Sequence, residues 1–315
     1  MKKKLLAVCI AACALVMGCS SGGGDDGGSG DAANWVIEGN KVIRYIGAEA
    51  DVRIPNGVTI IEDNAFKDCK SLKSVTIPNG VTSIGENAFY GCASLASVTI
   101  PGSVIGIGKS AFENCDSLKS VTIPASVTAI EDSTFYGCSS LASVTIPNGV
   151  KRIGENAFSG CASLASVTIP ASVIGIGQYA FYYCESLKSV TIPDGVTAIE
   201  DYAFSYCYSL ASVTIPGSVK RIGFGAFRNC RIKSVTIPGS VKIIEDYAFF
   251  TSGVVSVTIG YGVESIGFGA FLPTWLPYTV KEVRYGGTKE QWNAIVGKEN
   301  AGFDDATIVF EGEAN

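Results

Sequence analysis

The chain has 315 residues, a formal net charge of -5 and no histidine. An acidic balance excludes the basic stripe that a nucleic-acid partner requires. The missing imidazole removes the commonest general base, the usual activator of a Ser or Cys nucleophile and the commonest transition-metal ligand, so the chain reads as non-enzymatic and free of cofactors.

Lys2, Lys3 and Lys4 precede an apolar run from Leu5 to Met17. This is the layout of a secretory signal peptide, and it is too short to span a bilayer as a helix, so residues 1–18 are expected to be lost on export. The run ends in Val16-Met17-Gly18-Cys19-Ser20, which resembles the bacterial lipobox. That resemblance implies acylation of Cys19 and a chain held at the bacterial outer membrane or cell surface by a lipid anchor. Residues 19–33 are then almost wholly Ser, Gly, Asp and Ala, a composition that buries nothing and forms a flexible tether of roughly 20 Å.

Trp35 to Tyr45 reads as a hairpin, and residues 34–53 as an N-terminal cap. From there a period of 23 residues takes over, marked by Phe66, Phe89, Phe112, Phe135, Phe158, Phe181, Phe204 and Phe227, with Phe249 and Phe271 following at 22. A period of 20 to 29 residues around a Leu-rich strand is the signature of a leucine-rich-repeat solenoid, here about ten coils over residues 54–285 in a right-handed stack. Within one unit Leu72, Val75 and Ile77 turn inward while Ser74 and Thr76 turn outward, which is the alternation of a short strand in a parallel sheet. Pro78 has no N–H and ends the ladder. Asn79-Gly80 makes a turn, Val81 and Ile84 form a second inward pair on a short second strand, and Ala88-Phe89 is expected to close the coil in one helical turn. A short helix from Lys289 to Val296 and a strand from Thr307 to Phe310 are expected to close the array, within a C-terminal cap over residues 286–315.

Written as LxSVTIPxxVxxIxxxAFxxC, the unit resembles the BspA-type leucine-rich repeat of bacterial surface proteins, and the tail from Tyr285 to Trp292 resembles the segment that often closes such arrays. The resemblance implies a surface protein that binds a host matrix or plasma protein or a microbial surface protein. Ile232 arrives one residue early, Ser252 replaces the repeat cysteine, and the stretch from Phe271 to Val283 is three residues longer than its equivalents.

Three rows of side chains could carry chemistry. Cys69, Cys92, Cys115, Cys138, Cys161, Cys184, Cys207 and Cys230 fall once per coil, and are read as buried thiols in preference to bridges between rungs or a metal site. Glu131-Asp132, Glu200-Asp201 and Glu245-Asp246 recur at one position and form either a solvated face or, less simply, a calcium row. Around the Ala-Phe turn, aromatic residues accumulate toward the C-terminal half: Tyr179, Tyr182, Tyr183, Tyr202, Tyr206, Tyr208, Phe224, Tyr247, Phe250 and Phe268. In a solenoid, variable positions along one edge are where a ligand surface is written, and tyrosine offers large contact area at low entropic cost. These residues are the candidate ligand-binding site. A glycan-binding use of the same edge, or a ligand-free scaffold, are the alternatives.

Overall fold

The computed structural model describes residues 32–273 and 279–312; Cys19, the leader and nearly all of the tether lie outside the described residues. Each coil of the leucine-rich-repeat solenoid has three sides. The first carries a short strand such as Ser74–Thr76, the second a two-residue strand such as Ser83–Ile84, and the third a run of turns. Neighbouring strands pair in parallel and in step, Val75 opposite Val98 and Ile84 opposite Ile107. The step is set by composition: a one-residue slip would carry every Val and Ile to the solvent face and every Ser and Thr into the core.

Inside the coil, Leu72, Val75, Ile77, Val81, Ile84, Ala88, Phe89 and Cys92 are all buried. Each large apolar member contributes at most roughly 1.5–3 kcal/mol on burial, and it packs against its equivalents in the coils above and below. The array is therefore stable only as a stack. Phenylalanines form its spine: Phe89 stacks on Phe112 at 5.2 Å between ring centroids, Phe158 on Phe181 at 5.3 Å, and the series runs from Phe66 to Phe271.

The third side corrects one expectation. No helical turn forms around Ala-Phe; the segment is a chain of consecutive turns. Asn64 and Asp68 adopt left-handed backbone angles, φ 61° and 60°, which a right-handed helix cannot contain. Between them the N–H groups alternate. Ala65 and Lys67 donate within the turn, to Glu62 and Asn64, whereas Asn64, Phe66 and Asp68 donate to carbonyls of the next coil, Glu86, Ala88 and Tyr90. A helix would keep all of these bonds within the segment; the turn run directs three of the five along the stack and so joins coil to coil on this side as well.

At the front, Trp35–Glu38 and Lys41–Tyr45 form an antiparallel hairpin, and Tyr45 lies over Phe66 at 5.3 Å. The strand Asp51–Arg53, inside the segment read as cap, already pairs in register with Ser74–Thr76 as a rung of the main sheet. At the back, Glu282–Tyr285 pairs with Ser256–Ile259 and then with Thr307–Phe310. The helix Lys289–Ala294 starts at a capping box made by Thr288 and Gln291 and buries Trp292 against Tyr285. It ends two residues earlier than expected, because Ile295 turns extended and Val296 bridges to Ser265 in the second sheet.

Candidate functional site

Each turn run but the last holds two left-handed positions, and their occupants change along the molecule. The first row reads Asn64, Asn87, Ser110, Ser133 and Asn156, then Tyr179 and Tyr202, then Gly225, Tyr247 and Gly269; the second reads Asp68, Gly91, Asn114, Gly137 and Gly160, then Tyr183 and Tyr206, then Asn229 and Thr251. Asn, Asp and Gly tolerate this conformation, whereas for a bulky side chain it costs roughly 1–2 kcal/mol. Five tyrosines nevertheless sit here, with φ between 56° and 61°. Strain of this kind is retained where the side chain itself is wanted.

The tyrosines and phenylalanines expected from the sequence meet in one connected strip. Tyr179 stacks on Tyr202 at 4.9 Å and Tyr183 on Tyr206 at 4.6 Å, as the coil spacing dictates for equivalent positions. Tyr182 stands between the two stacks, edge-on to Tyr179 at 5.4 Å, Tyr183 at 4.6 Å and Tyr206 at 5.4 Å. Tyr208 closes one side against Tyr206. Phe224 links Tyr202 to Tyr247, and Tyr247 meets Phe250 and Phe268 at 5.2 and 5.6 Å. Most of these rings are half-buried; Tyr208 and Phe268 are 41% and 51% exposed. Burial, reinforced by Tyr183 and Tyr206, pushes the Tyr182 phenol up to about 12, and burial likewise raises Tyr202 and Tyr208. Their hydroxyls therefore keep their protons near neutral pH and can act as hydrogen-bond donors.

One member was not anticipated from the sequence. The Arg228 guanidinium lies 5.9 Å from the Tyr206 ring centre and 5.2 Å from that of Phe250, within cation–π range of both. A longer period in the sequence points to it. Ile105 and Ile174, and Lys151-Arg152 and Lys220-Arg221, recur at 69 residues, three coils apart. Between these near-copies, Ser110, Glu113, Asn114, Ser133, Gly137, Ser139 and Glu155 are replaced by Tyr179, Tyr182, Tyr183, Tyr202, Tyr206, Tyr208 and Phe224, and Ser159 by Arg228. For aromatic residues the traffic is almost one-way, since only Tyr136 loses its ring, to Ser205.

The other two candidate rows have structural roles. From Cys92 to Cys230 each thiol donates to the carbonyl of a phenylalanine in the preceding coil, as Cys138 does to Phe112 at 3.1 Å. All eight are free, and all but Cys69 are buried. Burial raises the thiols of Cys92, Cys138 and Cys207 to about 12, which leaves them without reactive thiolate. In the acidic pairs, Arg152 bridges Glu131 at 2.7 Å and Asp132 at 3.2 Å, and Arg221 repeats the clamp on Glu200 at 2.6 Å and Asp201 at 3.0 Å. The aspartates also accept backbone N–H groups of the next coil, Asp132 from Glu155 and Asp201 from Phe224. These oxygens are committed to holding coils together, and among the described residues no cluster of three His, Cys, Asp or Glu could hold a metal.

A model of the BspA type leucine rich repeat region matches residues 48–165, 128–256 and 174–279, in six copies. The chain belongs to this family. Among solved structures, it is similar to a leucine rich repeat protein of T. pallidum, 29% identical over 62% of this chain and 86% of the other with a TM-score of 0.44. A leucine rich cell surface protein of Faecalibacterium prausnitzii A2-165 is 26% identical over 86% and 98%, with a TM-score of 0.44. A leucine-rich repeat protein of Bacteroides ovatus ATCC 8483 is 25% identical over 83% of each chain, with a TM-score of 0.40. No curated protein matches.

Proposed function

We propose that the chain is a non-enzymatic binding protein of the bacterial surface, anchored through acylated Cys19, that holds a protein partner from a host matrix, plasma or another microbe along its aromatic edge. The observation that carries this reading is the placing of five tyrosines on left-handed backbone, where the same frame elsewhere uses Asn, Ser, Asp, Gly and, once, Thr. Such substitutions oppose stability locally, so their retention favours a role for the rings themselves. Tyrosine and arginine are also the residue types that dominate protein interfaces.

The glycan reading is the second choice, for a geometric reason. A sugar ring packs on an open aromatic face, but Tyr179, Tyr202, Tyr183 and Tyr206 turn their faces to one another. Tyr182, set edge-on to its neighbours, and the tyrosine hydroxyls suit the mixed polar and apolar surface of a protein.

The test uses cells displaying the full chain, exposed in parallel to arrays of matrix and plasma proteins and of host and bacterial glycans. Saturable protein binding is expected, with at least a tenfold loss for Tyr182→Ala/Tyr183→Ala/Tyr206→Ala at equal surface level. Glycan binding alone would favour the second reading, and equal binding by parent and variant would leave the strip a packing feature. In the same cells, Cys19→Ala is expected to release the chain from the membrane fraction.

A further inference from the structure

Beside the aromatic strip the array changes its corner. Where earlier coils read Cys207-Tyr208-Ser209-Leu210, the next two read Cys230-Arg231-Ile232 and Ser252-Gly253-Val254, each one residue shorter. The contracted corners leave a cleft of about 810 Å³ lined by Arg231, Lys233, Thr251, Gly253 and Val255. Thr251 directly follows Phe250, so the cleft opens next to the end of the strip where Arg228 lies.

The cations here differ from the paired arginines of the second side. On the second side of the coils, Arg152 is clamped to two carboxylates and Arg221 to three. Arg228, Arg231 and Lys233 fall within six residues that contain no acid, and among the described residues none of the three is in an ion pair. The Nε of Arg228 is buried without a hydrogen-bond partner. A buried donor on a charged group is costly when unmet, and two aromatic rings supply no acceptor of hydrogen-bond strength. In the row that carries Arg231 the nearest acid, Glu185, is two coils away, with Tyr208 between them. On a chain of net charge -5 this is a local positive patch, contiguous with the aromatic strip and provided with a cleft.

We propose that the partner presents an acidic peptide segment, its aromatic or aliphatic side chains on the tyrosine strip and its carboxylates held by Arg228, Arg231 and Lys233. This rests on the protein-binding reading above. An Asp or Glu carboxylate meets a guanidinium in a two-point, charge-assisted geometry. The thin charge layer also sets the mode of binding: contact is read by rings and strengthened by charge, so affinity falls with salt without vanishing.

The test is selection of a synthetic display library of random twelve-residue peptides on the full chain, repeated on Arg228→Gln/Arg231→Gln/Lys233→Gln, on Tyr182→Ala/Tyr206→Ala and on the control Lys73→Gln/Lys119→Gln. Unchanged thermal melting is required of each variant, and if the triple cation variant melts early the single Lys233→Gln is used in its place. Peptides enriched on the parent are expected to carry clustered Asp or Glu with aromatic residues. They should lose at least tenfold in affinity on the cation variant, and less than twofold on the control. Neutral or basic winners, or acidic winners that bind the cation variant as well as the parent, overturn the proposal. Neutral winners lost on the tyrosine variant would sink the acidic segment and leave the aromatic edge standing; winners indifferent to both variants would sink the two together. Displacement of the winners by a hyaluronan fragment at lower concentration than by free peptide would assign the cations to an acidic glycan instead, and also counts against the proposal.

Discussion

The coils from Ser110 to Gly160 and those from Tyr179 to Asn229 are the same structure built twice with different edges. Their phenylalanine spines stack at 5.6 and 5.4 Å in the first and 5.2 and 5.5 Å in the second. Their arginine clamps are superposable in chemistry, Arg152 on Glu131-Asp132 and Arg221 on Glu200-Asp201. Apart from the turns after the proline, where Ala125-Ser126 and Asn148-Gly149 become Asp194-Gly195 and Gly217-Ser218, the departure is at the turn edge, from small polar residues to a wall of rings. The frame therefore tolerates either edge, and the side chains on it are free to answer to a ligand. It also separates two kinds of mutation: those that should act alike in both regions, and those that should act in one alone.

The largest effect is expected from the spine. Phe158 joins the two regions, stacking on Phe135 at 5.4 Å and Phe181 at 5.3 Å, and Phe158→Ala should lower stability by about 3–5 kcal/mol in urea unfolding. A loss under about 1 kcal/mol would mean that the coils do not depend on one another as a stack requires. Next come Gly154 and Gly223, where an added Cβ would lie 2.6 and 2.8 Å from the backbone nitrogens of Asp132 and Asp201. Each Gly→Ala should cost about 1–3 kcal/mol, and the two values should agree. Clear disagreement would show that the copies do not share one frame.

A smaller effect on stability, and a larger one on binding, is expected at the left-handed tyrosines. Tyr202→Asn gives up ring stacking worth about 0.5–1.5 kcal/mol but relieves backbone strain of roughly 1–2 kcal/mol, so net stability should move by less than about 1 kcal/mol. Partner binding by displayed cells should fall at least tenfold with it. A large destabilisation with binding retained would make the tyrosine a packing residue. Least visible is the thiol ladder. In the native chain at pH 8, iodoacetamide should label half-buried Cys69 well before Cys138, whose thiol burial has raised to about 12. Because these folded thiols hold their protons above the unfolded value near 8.5, their contribution to stability is complete below that pH and is lost as pH rises toward 12. Melting temperature should therefore be flat from pH 6 to 8 and decline above pH 9.

The spine, the inward rows of Val75, Ile77, Val81 and Ile84 and the buried cysteines were legible because a single period repeats them and each must point inward in every coil. The third side was not legible as turns, since Ala88-Phe89 suits a helix equally well and the deciding quantity is the sign of φ at Asn87. Asn and Gly at the early left-handed positions hint at that sign, but Tyr179 and Tyr183 at the later ones conceal it. The aromatic strip could be read as a row, while its closure into a network, and Arg228 between Tyr206 and Phe250, depend on spacing between coils that a linear pattern does not contain.

The most direct test moves the edge without moving the frame. Ser110→Tyr, Glu113→Tyr, Asn114→Tyr, Ser133→Tyr, Gly137→Tyr and Ser139→Tyr would write the second edge onto the first copy, in a chain whose own Tyr182, Tyr183 and Tyr206 are replaced by Ala. Binding of the partner found by the displayed parent chain is then measured against both parents. Recovery of affinity to at least fivefold above that of the alanine variant is the predicted result; a well-folded transplant that binds no better than the alanine variant would contradict the claim that the aromatic edge carries the recognition.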